Sequence, residues 1–154
     1  MPMTADDLLR HLEQHYAGIP LTRAMGLRVA AADDARIVLA APLAANVNDK
    51  GCAFGGSLAS LMTLAGWGWI ERIVHGHGLA ADIYVKDSRV RYLAPVWQDF
   101  EAVARPAPGE SAEPFLATLA SAGKARLRMC CEIPLPGERP AATLEAEFVA
   151  LTRR

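Results

Sequence analysis

Apolar residues at positions 8, 9, 12 and 16 follow Thr4 and the acids Asp6 and Asp7. That spacing predicts an N-capped amphipathic helix over about 5–17, stopped by Gly18 and Pro20. Short extended runs at 27–32 and 36–41, turned at Asp33-Asp34 and closed by Pro42, predict a β-hairpin. Residues 43–54 form a loop rich in Asn and Gly. The next stretch is different in kind. Residues 51–70, GCAFGGSLASLMTLAGWGWI, carry no charged side chain, with Lys50 before them and Glu71 after. A neutral run of this length predicts a helix over about 56–74 that is buried on most of its circumference. The sequence His75-Gly76-His77-Gly78 ends it.

Beyond the helix the period changes to two. Residues 82–93 predict a long strand, with Ile83, Val85, Val90 and Tyr92 set among charges. Pro95 interrupts it and 99–105 continues as the next strand. After a loop with Pro106, Pro108, Gly109 and Pro114, the runs 115–121 and 124–133 read as a hairpin turned at Ala122-Gly123. A second Pro-rich loop leads to a last strand over 143–152. The order predicts an α+β domain spanning 1–154, with a long helix wrapped by a curved antiparallel sheet.

Twenty neutral residues can also cross a bilayer. Five glycines, at 51, 55, 56, 66 and 68, together with Ser57, Ser60 and Thr63, dilute the hydrophobicity, and a buried core helix satisfies the same pattern. The N-terminus has early acids and no apolar stretch of signal-peptide type, so the expected location is the cytoplasm and no membrane partner is expected. A formal charge of −1 with no basic stripe argues against nucleic acid. The three cysteines, Cys52, Cys130 and Cys131, form no metal spacing and no disulfide framework. As strand neighbours, Cys130 and Cys131 are expected to face opposite ways. Cys52 lies near a helix N-terminus, but His75 and His77 are about 30 Å away by helix rise. His11 and His15, at i and i+4, have a metal-compatible spacing. No acid or third ligand accompanies them on that helix face, so a solvated face is expected and no metal is assigned.

Three stretches carry a family likeness: Asn48-Asp49-Lys50-Gly51-Cys52-Ala53-Phe54-Gly55-Gly56-Ser57-Leu58, Leu64-Ala65-Gly66-Trp67-Gly68, and Asp87-Ser88-Arg89-Val90-Arg91-Tyr92-Leu93-Ala94-Pro95. With the element order, they resemble the hotdog-fold thioesterase superfamily. The likeness is greatest to the bacterial thioesterase-like domain found fused behind an acetyltransferase domain, a domain for which this chain is too short. The resemblance implies a hotdog fold of five to six strands around the central helix. It also implies an acyl-CoA or acyl-carrier-protein thioester as substrate. No cofactor is implied, since coenzyme A or phosphopantetheine belongs to the substrate. The assembly implied is a homodimer, or a tetramer built from it, whose sheets join into one. A non-catalytic hotdog module that binds an acyl ligand or only dimerises is the alternative.

Thioester hydrolysis needs donors at the carbonyl oxygen and a positioned or activated water. In the phenylacetyl type of hotdog thioesterase, an Asn precedes His-Gly-Gly at the helix start, and a carboxylate follows one helical stretch later. Carried over, Asn48 matches the asparagine and Gly55 the oxyanion glycine, whose N–H sits at the positive end of the helix dipole. Phe54 stands where the histidine usually is, and Thr63 where the carboxylate is. Thr63 can orient a water or carbonyl but cannot serve as a carboxylate base. Asp87, in the third matched stretch beside Ser88, can supply that base across a dimer seam, or simply pair with Lys86 or Arg89. Asn46 and Gly56 complete the predicted site. They can equally be a loop residue and a glycine for close packing. Lys86, Arg89, Arg91 and either Arg126 or Arg128 are candidates for the phosphates of the carrier arm, or solvated strand charges. Phe54, Met62, Trp67 and Trp69 can line an acyl tunnel or fill the core.

Overall fold

The structure is a computed structural model that describes residues 2–137 and 139–153. Its first element, α1 (Ala5–Ala17), is the predicted amphipathic helix. The Thr4 hydroxyl accepts from the Asp7 N–H and the Asp7 carboxylate accepts from the Thr4 N–H, so two orphan donors are satisfied reciprocally. Pro20 does not end the helical region. It opens a second short helix, α2 (Pro20–Met25), where its fixed φ suits the first helical position. Gly26, at φ +69°, terminates α2.

The strands are β1 (Arg28–Ala32) and β2 (Ile37–Ala41), then, after the long helix α3 (Gly55–Gly76), β3 (Ala81–Tyr92), β4 (Phe100–Pro106), β5 (Lys124–Ile133) and β6 (Ala142–Thr152). They form one antiparallel sheet in the order β1-β2-β4-β5-β6-β3. The expectation of a strand over 115–121 is corrected: those residues lie in a helix, α4 (Ala112–Ala122). Ala and Leu dominate it and favour helix, and Phe115, Leu116 and Leu119 fall on one face that is buried. The turn at Ala122-Gly123 does reverse the chain, with Gly123 at φ +74° capping α4.

The sheet curves around α3, which packs against β2, β3, β4, β5 and β6. Alternate residues of β5 and β6 face inward, among them Leu127, Met129 and Ile133 opposite Phe148, Ala146 and Ala142 respectively. Cys131 is inward and Cys130 outward, as expected for neighbours. Burial pushes the Cys131 thiol up to about 12, which leaves it a small inert hydrophobe. Gly66 lets α3 approach Phe148 closely, since a Cβ there would press on the Phe148 ring at 2.9 Å. No helix among the described residues is long and apolar enough to cross a membrane.

The other side of α3 is covered by α1. The Tyr16 hydroxyl donates to the Leu64 carbonyl at 2.8 Å, and it stands where a Cβ on Gly68 would be. Gly68→Ala therefore collides with a buried, hydrogen-bonded phenol. Overpacking of this kind costs about 1–3 kcal/mol, against about 1 kcal/mol gained in helix propensity. The expected result is a lower thermal midpoint, part of which Tyr16→Phe restores in the double variant. Simple additivity of the two changes would contradict this packing.

The expectation of a solvated face at His11 and His15 is also corrected. Glu71, sixty residues further along the chain than His11, is buried where α3 meets α1. Its Oε1 lies 2.9 Å from His11 Nε2 and 3.8 Å from His15 Nε2. The spacing of residues near His11 carries no sign of it, because the acid comes from a different helix.

Candidate functional site

At the start of α3 the N-cap residue is Phe54, whose side chain offers no oxygen to the first turn. The first backbone groups to find acceptors are the N–H groups of Ser57 and Leu58, which both donate to the Phe54 carbonyl. Among the described residues nothing accepts from Gly55 or Gly56 N–H. Two bare donors thus stand at the positive end of a 22-residue helix, the condition for holding a developing anion.

The loop before them is held rigid. Phe54 N–H donates to the Asn46 carbonyl at 2.7 Å and Ala53 N–H to the Val96 carbonyl at 2.8 Å. The buried Asn46 amide donates to the carbonyls of Met25 and Pro42, at 2.9 and 2.8 Å, so it ties the loop to α2. The Asn48 Oδ1 accepts from the N–H groups of Lys50 and Cys52, at 2.8 and 3.2 Å, and its Nδ2 meets Cys52 Sγ at 3.2 Å. Both asparagines shape the loop that delivers Gly55. Cys52 is buried under Asn48, and none of the four histidines contacts it.

Two aromatic rings frame the glycines. The Tyr92 ring lies over Gly55, 3.4 Å from where a Cβ would be. The Phe54 ring folds over Gly56 and occupies the place a Cβ would take. Both rings are more than half exposed, as is Trp97 at 61%. Tyr92 and Trp97 were not singled out for the site by the sequence. Tyr92 lies within the third matched stretch, which is the signal that points to it.

Thr63 lies about 12 Å along α3 from Gly55, on a face with Gly56, Ala59 and Ser60 that is only half-buried. Its hydroxyl donates to the Ala59 carbonyl at 2.8 Å, which leaves its lone pairs free to accept. Met62 and Trp69 are core residues, 0% and 1% exposed. Trp67 is half-buried, its ring 5.6 Å from that of Tyr16.

A bulge in β3 decides the fate of the remaining candidates. Before it, Ile83 and Val85 lie opposite the inward residues Ala150 and Phe148. The register shifts between Val85 and Asp87, so past it Ser88, Val90 and Tyr92 lie opposite the inward Ala146, Leu144 and Ala142. Asp87 and Arg89 are opposite the outward Glu147 and Glu145. Ser88 therefore shares the α3 side of the sheet with Gly55, while Asp87 and Arg89 are on the other side. Lys86, the extra residue of the bulge, reaches Glu147 at 3.4 Å on that outer side. A groove of about 430 Å³ on the outer face includes Asp87, Arg89, Arg128 and Cys130. An adjoining one of about 620 Å³ includes Arg91, Arg105 and Glu132. Carboxylates interleave with these arginines, so the face is charged in both signs and lies away from the bare helix terminus.

The strand β3 is a sheet edge of twelve residues, paired only with β6. Tyr84, Val85 and Tyr92 are exposed along it, and Leu93 just beyond its end.

A family model described as "Putative thioesterase (yiiD_Cterm)" matches residues 8–152. A protein of unknown function from Chlorobaculum tepidum has a solved structure with a TM-score of 0.91 and 27% identity, each chain covered over 99%. A structure from Shewanella oneidensis titled a "putative thioesterase" has a TM-score of 0.83 at 28% identity, covering 95% of this chain and 99% of that one. A Pseudomonas aeruginosa protein of unknown function, titled "Probable Thioesterase", shares the fold at a TM-score of 0.76 and 20% identity, with each chain covered over 99%.

Proposed function

This chain belongs to the YiiD_C thioesterase-like family, and on that premise we propose that it hydrolyses an acyl thioester carried by coenzyme A or by an acyl-carrier protein. The observation that carries this reading is the pair of unpartnered N–H groups at Gly55 and Gly56 on an uncapped helix terminus. The thioester carbonyl oxygen accepts from Gly55 N–H, where the helix dipole stabilises the negative charge of the tetrahedral intermediate. Phe54 and Tyr92 flank the carbonyl, and Ser88 lies on the same side of the sheet, four residues along β3 from Tyr92. Gly55 and Thr63 of one chain are about 12 Å apart along α3. In this scheme the Thr63 of a second copy packed against the half-buried face of α3, its proton engaged by the Ala59 carbonyl, accepts from the attacking water. The water oxygen adds to the carbonyl carbon, the C–S bond breaks, and the water's proton passes to the departing thiolate. Asn46 and Asn48 are positioning residues that hold the loop.

Asp87, placed on the outer face, has no role as base in this scheme. Asp87→Ala is expected to leave kcat/KM within about twofold, measured on whichever thioester the wild type turns over best. A loss beyond tenfold would return Asp87 to the site.

The active unit is a homodimer joined through β3. An unpaired edge this long, lined by exposed Tyr84, Val85 and Tyr92, is an invitation to pair with a second copy. That pairing extends the sheet and covers the half-buried face of α3 near Thr63. Light scattering is expected to give a mass near two chains or a multiple of two. A mass near one chain would reject the seam. The setting is cytoplasmic, where acyl-CoA and carrier-bound thioesters are made and the free thiols persist.

One observation favours a second reading, an acyl-binding module without turnover: no carboxylate neighbours Thr63 on the half-buried face of α3 among the described residues. Thiol release from a panel of acyl-CoA and acyl-carrier thioesters of graded chain length separates the two. Turnover above a Gly55→Pro control supports the enzyme. Saturable binding without thiol release on every substrate supports the module.

A further inference from the structure

We propose that His11, His15 and Glu71 form a binding site for a first-row transition-metal ion, of which zinc is the best match, that cross-links α1 to the far end of α3. The site is separate from the thioesterase reading, since Glu71 lies about 24 Å along α3 from Gly55.

The argument starts from charge. The far end of α3 contains two buried charged residues, Glu71 and Arg72. Arg72 is paired, its guanidinium 2.9 Å from the Asp34 carboxylate. Glu71 has no Lys or Arg partner among the described residues, and its carboxylate faces only imidazoles. A buried carboxylate requires a compensating positive charge. A divalent ion held between the carboxylate and the two imidazoles supplies that charge.

Geometry supports the ion. The ligating atoms of His11, His15 and Glu71 all lie within 4.8 Å of one another. Tetrahedral zinc with bonds of about 2.0–2.1 Å spaces its ligands roughly 3.4 Å apart. The observed separations of 2.9 and 3.8 Å from Glu71 Oε1 bracket that value. His15 Nδ1 lies 3.0 Å from the His11 carbonyl, an acceptor, so Nδ1 carries the proton and Nε2 presents its lone pair. A ring proton donated to a backbone carbonyl is the usual way a metal-binding histidine is oriented. His75 stacks flat on His11, with ring centroids 3.5 Å apart, and fixes that ring as well.

Two imidazoles and one carboxylate suit zinc or cobalt and leave a position for water. His11 and His15 stand four apart on one helix, as in hydrolytic zinc helices. The acid between them is Glu13, exposed and about 200° around the helix from His11. It cannot act on a water at the ion, so the site binds and braces rather than hydrolyses.

The test uses the untagged, chelator-treated full chain, titrated with Co(II) and followed by visible absorption and by tryptophan fluorescence. Trp67 lies 6.2 Å from the His15 ring and is expected to be quenched. The expected result is a sharp endpoint at one ion per chain, a tetrahedral Co(II) spectrum displaced by Zn(II), and a higher thermal midpoint with Zn(II). His15→Ala, at a partly exposed position, weakens binding by about 100-fold or more, as does Glu71→Gln, while His77→Ala leaves it unchanged. Should Glu71→Gln fail to fold, His15→Ala decides alone. Binding without an endpoint, or an affinity indifferent to His15→Ala, would overturn the site. Thioester turnover has no part in this readout, so the metal site and the thioesterase reading fail independently.

Discussion

Gly55→Pro is expected to lower kcat by about 10²–10³-fold, the loss typical of removing one oxyanion donor and equal to roughly 2.7–4 kcal/mol of transition-state stabilisation. Proline deletes the N–H and little else here. Gly55 is the first residue of α3, the helical position at which proline is tolerated because the N–H has no intrahelical acceptor. The preceding residue, Phe54, has φ −63° and ψ 132°, which is the extended geometry a following proline demands. The Tyr92 ring above Gly55 is exposed and can shift outward. The variant should therefore keep its circular dichroism and its thermal midpoint within a few degrees while losing turnover. Gly55→Ala is the matched control. It keeps the N–H, and its Cβ meets Tyr92 at 3.4 Å, so activity within a few-fold of wild type is expected. Equal losses in both variants would mean that the position matters for space and not for the donor.

Trp69→Ala is expected to have the largest effect on stability. Trp69 is 1% exposed on the sheet-facing side of α3. Its indole N–H donates to the Asp33 carbonyl at 3.2 Å and so fastens the helix to the β1–β2 turn. That turn is set by Asp33 itself, whose carboxylate accepts from the N–H groups of Ala35 and Arg36 and is held below the usual carboxylate range by those bonds. Truncating a buried Trp costs about 3–5 kcal/mol. At about 2–4 °C per kcal/mol for a chain of this size, the midpoint should fall roughly 6–20 °C. The fold tolerates this poorly, since total stability is about 5–15 kcal/mol. A drop below about 3 °C would mean that Trp69 is not the keystone of the helix–hairpin contact.

The central helix was legible because a twenty-residue neutral run has few homes in a globular domain, and its glycines mark where Phe148, Tyr16 and Tyr92 come close. Strands with clean alternation, such as β5 and β6, were equally plain. Local rules failed where two of them competed. Pro20 reads as a stop, yet proline also starts helices, and α2 was missed for that reason. The run 115–121 has the apolar content of a strand, and only its Ala and Leu bias points to α4.

At the site, the placement of Asp87 turned on one inserted residue. The apolar positions of β3 pass from odd, at 83 and 85, to even, at 90 and 92. That switch is the mark of a bulge, and it sends Asp87 outward and Ser88 toward α3. The signal lay in the pattern; a strand assumed regular hides it. Glu71 beside His11 is a different case. Contacts between residues sixty apart come from helix packing, and no local spacing announces them.

The most direct test of the account is the structure of the protein bound to a non-hydrolysable acyl-CoA in which the thioester sulfur is replaced by methylene. The account predicts the acyl carbonyl oxygen within about 3.1 Å of Gly55 N, under Tyr92 and at the head of α3. An analogue seated in the outer groove among Arg89, Arg91 and Arg105, with Gly55 N–H facing only solvent, would contradict it.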